Sequence, residues 1–235
     1  MKIALLGYGR MGKVIEKIAL ERGHEIVLRK DSHDSYDGLL HADVAIDFSV
    51  PTAATSNITE CIENGIPIVS GTTGWLENYN DMVALCNEKN AAFIYGSNFS
   101  LGVNLFFELN DHLARLMSKF AQYEVSMEEI HHTQKLDKPS GTAISLANAI
   151  INHTQKNDWN IENPKKDDLF IDVKRIESVP GTHSIFYNSN EDSIEIKHTA
   201  HNREGFAFGA ITAAEWLVGK QGVFTMKDVL NLNSN

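Results

Sequence analysis

The first hundred residues alternate short, wholly apolar runs with amphipathic segments, and this rhythm limits the fold more than any other feature of the chain. Lys2 to Leu6 reads Lys-Ile-Ala-Leu-Leu, with none of the polar alternation of a half-exposed strand. Such a run fits a strand buried on both faces of a parallel sheet. Met11 to Arg22 has helical spacing, with Val14, Ile15, Ile18 and Ala19 on one face and Gly23 placed to follow the C-cap. Further strands are predicted at Glu25 to Leu28, Asp43 to Phe48, Ile66 to Ser70 and Ala91 to Tyr95. Helices are predicted from Pro51, which suits a first turn, to Asn64, and from Leu76 to Glu88. Alternation of this kind implies a doubly wound parallel sheet.

The rhythm changes near residue 100. Leu101 to Met117 is one long helical pattern, and Thr142 to His153 is another. Strands are predicted at Tyr123 to Ile130, Leu169 to Ile176, Thr182 to Asn188 and Ser193 to Thr199. Pro180-Gly181 and Asn188-Ser189-Asn190 read as hairpin turns linking the last three. The polar stretch Asn157 to Asp168 reads as a surface loop. Helices from Phe208 to Val218 and from Met226 to Leu230 close the chain. The fold class is therefore α/β: a Rossmann-type parallel-sheet domain plus an α+β domain with a mixed sheet and a helix packed on one side.

Composition excludes several functions. Thirty-one acidic against 21 basic residues give a net charge of −10, a poor basis for nucleic-acid binding. No apolar run approaches the length of a membrane span, and no signal peptide precedes the first strand, so a cytoplasmic location is expected. Cys61 and Cys86 both fall in helices and read as buried free thiols.

Gly7-Tyr8-Gly9-Arg10-Met11-Gly12 follows the first strand and opens the first helix, the setting required of a Gly-x-Gly-x-x-Gly dinucleotide loop. The first glycine permits the turn, the second admits a pyrophosphate, and the third lets helix and strand approach. The helix N-terminus offers N–H groups and a positive dipole end to the phosphates. After the second strand, Arg29-Lys30 stands where an acidic residue would bind the ribose of NADH. The pair suits the 2′-phosphate of NADPH, while dual use and a plain solvated turn stay open.

Glu129-Ile130-His131-His132-Thr133-Gln134-Lys135-Leu136-Asp137-Lys138-Pro139-Ser140-Gly141-Thr142-Ala143 is the densest chemical stretch. Lysine is a point charge for a carboxylate, and the Ser-Gly-Thr turn opens a helix whose N–H groups and hydroxyls add donors. Histidine can deliver a proton near neutrality. No metal is expected. His131 and His132 are adjacent and diverge on extended backbone, as do His198 and His201, and there is no His-Glu-x-x-His or paired-Cys motif. Ser140 lacks the nucleophile elbow of a serine hydrolase.

This stretch resembles the signature of the dihydrodipicolinate reductase family, now called 4-hydroxy-tetrahydrodipicolinate reductases. The resemblance spans the chain: Asp47-Phe48-Ser49, Gly71-Thr72-Thr73-Gly74, Gly96-Ser97-Asn98-Phe99-Ser100, Phe206 to Ala210, Trp216-Leu217 and Gly222 to Met226 also match. The glycine loop is one residue shorter than in many members, and the chain is somewhat short for the family.

The resemblance implies an NAD(P)H-dependent reductase of lysine and diaminopimelate biosynthesis. It implies His131 as the proton donor or acceptor of the reduction and Lys135 as a catalytic, substrate-binding cation. His132, Ser140, Gly141, Thr142 and Thr73 would hold a small dicarboxylate. Gly7 to Gly12, Gly71, Thr72, Thr73, Gly96, Ser97, Asn98 and Phe99 would surround NADPH or NADH; Arg29 and Lys30, where the sequence departs from the family's acidic residue, are cofactor candidates from the residues alone. It further implies a homotetramer built through the second-domain sheets. Residues 1–100 with 206–235 would form the dinucleotide-binding domain, and 101–205 the substrate and oligomerisation domain, with closure over the substrate. Competing readings are another two-domain NAD(P)-dependent oxidoreductase, or a dinucleotide-sensing module that needs only Gly7 to Gly12.

Overall fold

The computed structural model describes residues 1–31 and 34–232. In chain order it contains β1 (Lys2–Leu6), α1 (Arg10–Glu21), β2 (Glu25–Lys30), β3 (Val44–Asp47), α2 (Pro51–Glu63), β4 (Ile68–Ser70), α3 (Tyr79–Glu88), β5 (Ala92–Tyr95) and α4 (Leu101–Met117). There follow β6 (Glu124–His131), α5 (Gly141–His153), β7 (Asp158–Asn160), β8 (Asp168–Arg175), β9 (Gly181–Asn188), β10 (Ser193–Ala200), α6 (Glu204–Leu217), β11 (Gly222–Phe224) and α7 (Met226–Val229). Contacts divide the chain into two units, Met1–Leu101 with Arg203–Asn235, and Gly102–Asn202.

The first unit holds a six-stranded sheet in the order β11-β5-β4-β3-β1-β2, with every pairing parallel. Each inner strand is buried on both sides, which is why its sequence is a continuous apolar run. One face, with Ile3, Leu5, Val44, Ile46, Val69 and Ile94, packs against α1 and α6. The other, with Ala4, Leu6, Ala45, Ile68 and Phe93, packs against α2 and α3. Cys61 and Cys86 are buried free thiols on α2 and α3. The expected helix from Leu76 begins as a single 3-10 turn, Leu76–Asn78, before α3. Strand β11, which the sequence reading lacked, extends the sheet beside β5.

The second unit holds a mixed sheet in the order β10-β9-β6-β8-β7. β6 is central, antiparallel to β9 and parallel to β8. Val125, Met127, Leu169, Ile171, Ile185 and Tyr187 form its inner face, against Phe106, Ala114 and Met117 of α4 and Ala143, Leu146, Ala147 and Ile150 of α5. Full burial of each larger side chain contributes about 1.5–3 kcal/mol. The buried Asn110 of α4 donates to the Leu146 carbonyl of α5 at 3.0 Å, joining the two helices.

Two expectations are corrected here. The stretch Asn157 to Asp168 is not all loop, because Asp158–Asn160 forms β7, an edge strand beside β8. Pro180-Gly181 does not close a hairpin: β8 and β9 flank β6 on opposite sides, so the segment crosses over it. Of the three strands, β9 and β10 form the hairpin. Local turn chemistry reports that the chain bends, not which strand receives it.

Candidate active site

The glycine loop of the first unit fits a dinucleotide. Gly7 has φ +97°, and a Cβ there would collide with the backbone of Phe48; a Cβ on Gly12 would collide with the Gly7 carbonyl. These two glycines are demanded by the protein's own packing. Gly9 is not: its φ is −79°, and a Cβ there would meet nothing within 4 Å. Gly9 is also the N-cap of α1, which receives no side-chain capping bond. Space that a Cβ would fill, at an uncapped helix N-terminus, suits a pyrophosphate. Arg10, Met11 and Gly12 form the first turn of that helix.

Around the loop, the second-strand cations are already engaged. Arg29 donates from Nε to Glu16 at 2.8 Å, and Tyr8 donates its hydroxyl to the same carboxylate. Glu16 is held below the usual carboxylate range by Arg29 and Tyr8. Lys30 is buried, with its ammonium 4.8 Å from the Tyr36 ring centre. A 2′-phosphate would have to share Arg29 with Glu16.

The ends of β3, β4 and β5 supply the other expected cofactor residues. Asp47, fully buried at the end of β3, accepts from Ser49 Oγ (2.6 Å), Asn57 Nδ2 (2.9 Å), Ser70 Oγ (2.8 Å) and Thr72 Oγ1 (2.8 Å). Burial raises its carboxyl, and these four donors oppose the rise. The Gly71 N–H donates to the Asp47 carbonyl at 2.9 Å. The Thr72 side chain therefore faces inward to Asp47, while Thr73 is exposed. Gly96 donates to the Ser70 carbonyl at 3.1 Å, and Asn98 Oδ1 accepts from Ser100 N–H at 2.9 Å. Ser97 is exposed between them. Phe99 is a core residue, its ring tilted against that of Phe48 with centres 5.8 Å apart, so its side chain supports the loop from beneath.

In the second unit, strand register assembles a compact polar cluster. Glu129 and His131 continue, two residues at a time, the inward face of β6 begun by Val125 and Met127. Register sets Glu129 opposite His183 of β9, and His131 opposite Arg175 of β8. Glu129 Oε1 lies 2.9 Å from Arg175 Nη1 and 3.4 Å from His131 Nδ1. Its Oε2 accepts the Ser140 N–H at 2.7 Å and lies 3.8 Å from His183 Nε2. The His131 and His183 rings meet edge to face at 5.1 Å. Gly181 of β9 faces the His131 ring so closely that a Cβ there would stand 2.9 Å from Nε2. Ser140 caps α5, its Oγ accepting the Ala143 N–H at 3.2 Å, and Gly141 and Thr142 form the first turn. A Cβ on Gly141 would meet open space. His132 is half-buried just beyond β6, and its carbonyl accepts the Lys135 N–H at 3.1 Å. Lys135 Nζ pairs with Asp137 at 2.9 Å.

Among the expected residues of this unit, His131, His132, Lys135, Ser140, Gly141 and Thr142 therefore share one loop-and-strand segment; Thr73 belongs to the first unit. Sequence reasoning gave no role to Glu129 and missed Arg175, Gly181 and His183. His183 was visible in principle, because it falls in step with inward-facing Ile185 and Tyr187 on β9. Glu129, His131 and His183 bring potential metal-ligand atoms within 4.8 Å of one another, a grouping the adjacent-histidine argument had not weighed. The Arg175 guanidinium already occupies the Glu129 carboxylate, and a metal ion there would meet a second cation.

Burial, with His131 nearby, pushes the His183 imidazole down to about 3. For Glu129 burial acts upward, but contacts from His131 and Ser140 outweigh it and bring the carboxyl to about 2. Both folded-state values lie below the ordinary ones. Each group thus adds stability above its ordinary value and loses it as pH falls: from 6.5 toward about 3 for His183, and from 4.5 toward about 2 for Glu129. Urea melts should show stability declining below about pH 6.5. His183→Gln should flatten the upper part of that decline. A wild-type stability constant from about pH 7 down to 4 would refute this account.

A parallel sheet with this glycine loop, joined in one chain to a mixed sheet carrying a buried carboxylate–imidazole cluster, defines a nicotinamide-dependent oxidoreductase. Residues 1–99 match the family description "Dihydrodipicolinate reductase, N-terminus" and residues 102–230 match "Dihydrodipicolinate reductase, C-terminus". The chain belongs to the dihydrodipicolinate reductase family.

It is 55% identical over 236 residues to a 4-hydroxy-tetrahydrodipicolinate reductase of Christiangramia forsetii, covering 98% of each chain. It is 36% identical over 195 residues to a protein of the same name from Methanoculleus marisnigri, covering 81% of this chain and 76% of that one. A solved dipicolinate-bound dihydrodipicolinate reductase from Paenisporosarcina sp. superposes with a TM-score of 0.75 at 20% identity, covering 96% and 97% of the two chains. That likeness supports the fold.

Proposed function

We propose that the protein reduces 4-hydroxy-tetrahydrodipicolinate to tetrahydrodipicolinate, by way of dehydration to dihydrodipicolinate, in the lysine and diaminopimelate route. The observation that carries this reading is the segment from His131 to Thr142. It places an imidazole at a strand end, a lysine in the next turn and a serine-capped helix N-terminus in succession, with Ser140 and His131 both against Glu129. NADH or NADPH supplies the hydride when bound, and Gly7 to Gly12, Gly71 to Thr73 and Gly96 to Phe99 would hold it.

The substrate is a cyclic dianion, and its two carboxylates need fixed donors. Lys135, His132, Ser140, Gly141, Thr142 and Thr73 take that part, the helix N-terminus adding its dipole. Loss of water leaves a conjugated imine. As the ring is reduced, negative charge moves toward its nitrogen, and His131, helped by Lys135, delivers the proton that balances it.

The protein acts in the cytoplasm as a homotetramer assembled through the second-unit sheets. Among the described residues no helix is long and apolar enough to cross a membrane. Phe170, 36% exposed on the side of β8 away from Leu169 and Ile171, is the kind of side chain such an interface would cover. Light scattering should report four chains, and one chain at micromolar concentration would remove the tetramer.

A coupled assay tests the reaction. Pyruvate and aspartate semialdehyde are condensed by the preceding synthase, this protein is added, and loss of NADH or NADPH absorbance is followed. Rapid loss is expected, and the ratio of the two rates reports what Arg29 does beside Glu16. No loss from folded protein that binds NAD(P)H would overturn the assigned substrate.

A further inference from the structure

Arg175 lies outside every motif of the sequence, yet its side chain is central to the second unit's polar cluster. Its guanidinium donates from Nε to the Lys135 carbonyl at 3.2 Å and from Nη2 to the Asp137 carbonyl at 2.6 Å. Nη1 stands 2.9 Å from Glu129 Oε1 and donates to the Lys174 carbonyl at 2.9 Å. The side chain is only 10% exposed. A guanidinium carries five N–H donors in a fixed plane and here meets four acceptors, one more than the three donors of a lysine ammonium could serve.

The two bonds to Lys135 and Asp137 bracket Leu136, which is 92% exposed, so no apolar anchor holds the tip of this loop. At its far end the loop is tied again, because the Ser140 N–H sits on the other oxygen of Glu129. One buried ion pair, Arg175 with Glu129, therefore fixes the loop that bears Lys135 at one end and the start of α5 at the other. The same carboxylate is the neighbour of His131 Nδ1.

We propose that Arg175 is a positioning residue for the reductase reaction: it presets the Lys135–Asp137 backbone, so that Lys135 and the N-terminus of α5 meet the substrate carboxylates without an ordering cost at binding. This rests on the function proposed above and adds a residue that never touches substrate. A group with this task acts on the affinity for dicarboxylate, because an unfixed loop must be ordered by the ligand itself. It leaves the dinucleotide loop alone, since that belongs to the first unit.

The test uses the full-length protein, with R175K and R175A checked for an intact fold by thermal melting. Dipicolinate serves as the probe in calorimetric titration, and steady-state rates give KM and kcat. Both variants should bind dipicolinate at least tenfold more weakly than wild type and show a similar rise in substrate KM. Their KM for NADH should stay within twofold. Free guanidinium at millimolar concentration should restore part of the dicarboxylate affinity of R175A, which no general loss of stability would allow.

If R175A does not fold, R175K decides alone. Wild-type dicarboxylate affinity in R175K would overturn the proposal. So would a parallel loss of dicarboxylate and NADH affinity without rescue, which describes a merely structural arginine. Wild-type protein that neither reduces the substrate nor binds dipicolinate would bring down the functional reading itself, and this inference with it.

Discussion

His131→Ala is expected to lower kcat of the reductase reaction by about 10²- to 10⁴-fold, the usual contribution of a positioned general acid. Substrate KM should change little. The histidine ends β6 with its ring edge-on to His183, and its backbone stays in the sheet through the Ile176 N–H bond to its carbonyl at 2.8 Å. The substitution therefore removes a proton donor without removing a strand. Lys135→Ala should behave differently. Its ammonium is a carboxylate partner, so KM should rise about 10- to 100-fold, the range for a lost charge-assisted hydrogen bond, and kcat should fall as well. Initial rates over a range of substrate concentrations separate the two. An unchanged turnover number in His131→Ala would end its assignment as the acid.

The largest stability effect is expected at Asp47. Asp47→Ala leaves the donors of Ser49, Asn57, Ser70 and Thr72 facing a fully buried void. Unsatisfied buried groups cost about 1–3 kcal/mol each, and they are not additive when they share one acceptor. A loss of about 3 kcal/mol is expected, which for a chain of this size lowers Tm by about 6–12 °C. Asp47→Asn keeps one acceptor oxygen and should lie between the two. Thermal melts followed by circular dichroism measure the shift. A Tm within about 2 °C of wild type would show that water replaces the carboxylate at no cost. Because Ser49 and Thr72 flank the cofactor-side loops, weaker dinucleotide binding should accompany the drop.

Much of the fold was written in local pattern. β1 and α4 carry the bounds read from sequence, since a doubly buried strand and a long amphipathic helix each have an unambiguous period. β7 and β11 escaped because three residues, none of them buried, give no period to read. α6 begins at Glu204, four residues before the expected start, since a helix apolar on nearly every side has no stripe to mark its first turn. The second-unit sheet defeated turn chemistry, because β8 pairs with β6 rather than with its sequence neighbour β9.

The site divides in the same way. His131, Lys135 and Ser140 are legible because one short segment carries them all. Arg175 and His183 are about 40 to 50 residues farther on, and only the register of β6 with β8 and β9 delivers them to the same place. Lone arginines and histidines in strands carry no mark of what they will face. The Arg29–Glu16 pair was hidden for a similar reason: α1 folds back along β2 and brings a carboxylate to a cation that in sequence stands among polar neighbours.

The order in which the elements leave the ribosome has a consequence of its own. Ile3, Leu5, Val44, Ile46, Val69 and Ile94 share a face that α6 covers with Ala207, Ala210, Ile211, Ala214 and Leu217. That helix begins at Glu204, and β5 ends at Tyr95. At about 5–20 residues per second, the growing chain carries a half-clothed apolar sheet for roughly 5–20 s before its cover is made. The intervening unit is contiguous and is complete in that interval. Newborn copies thus present a sticky surface until translation is nearly over, and a stop codon just before residue 204 would release a chain missing part of its core rather than a dispensable tail.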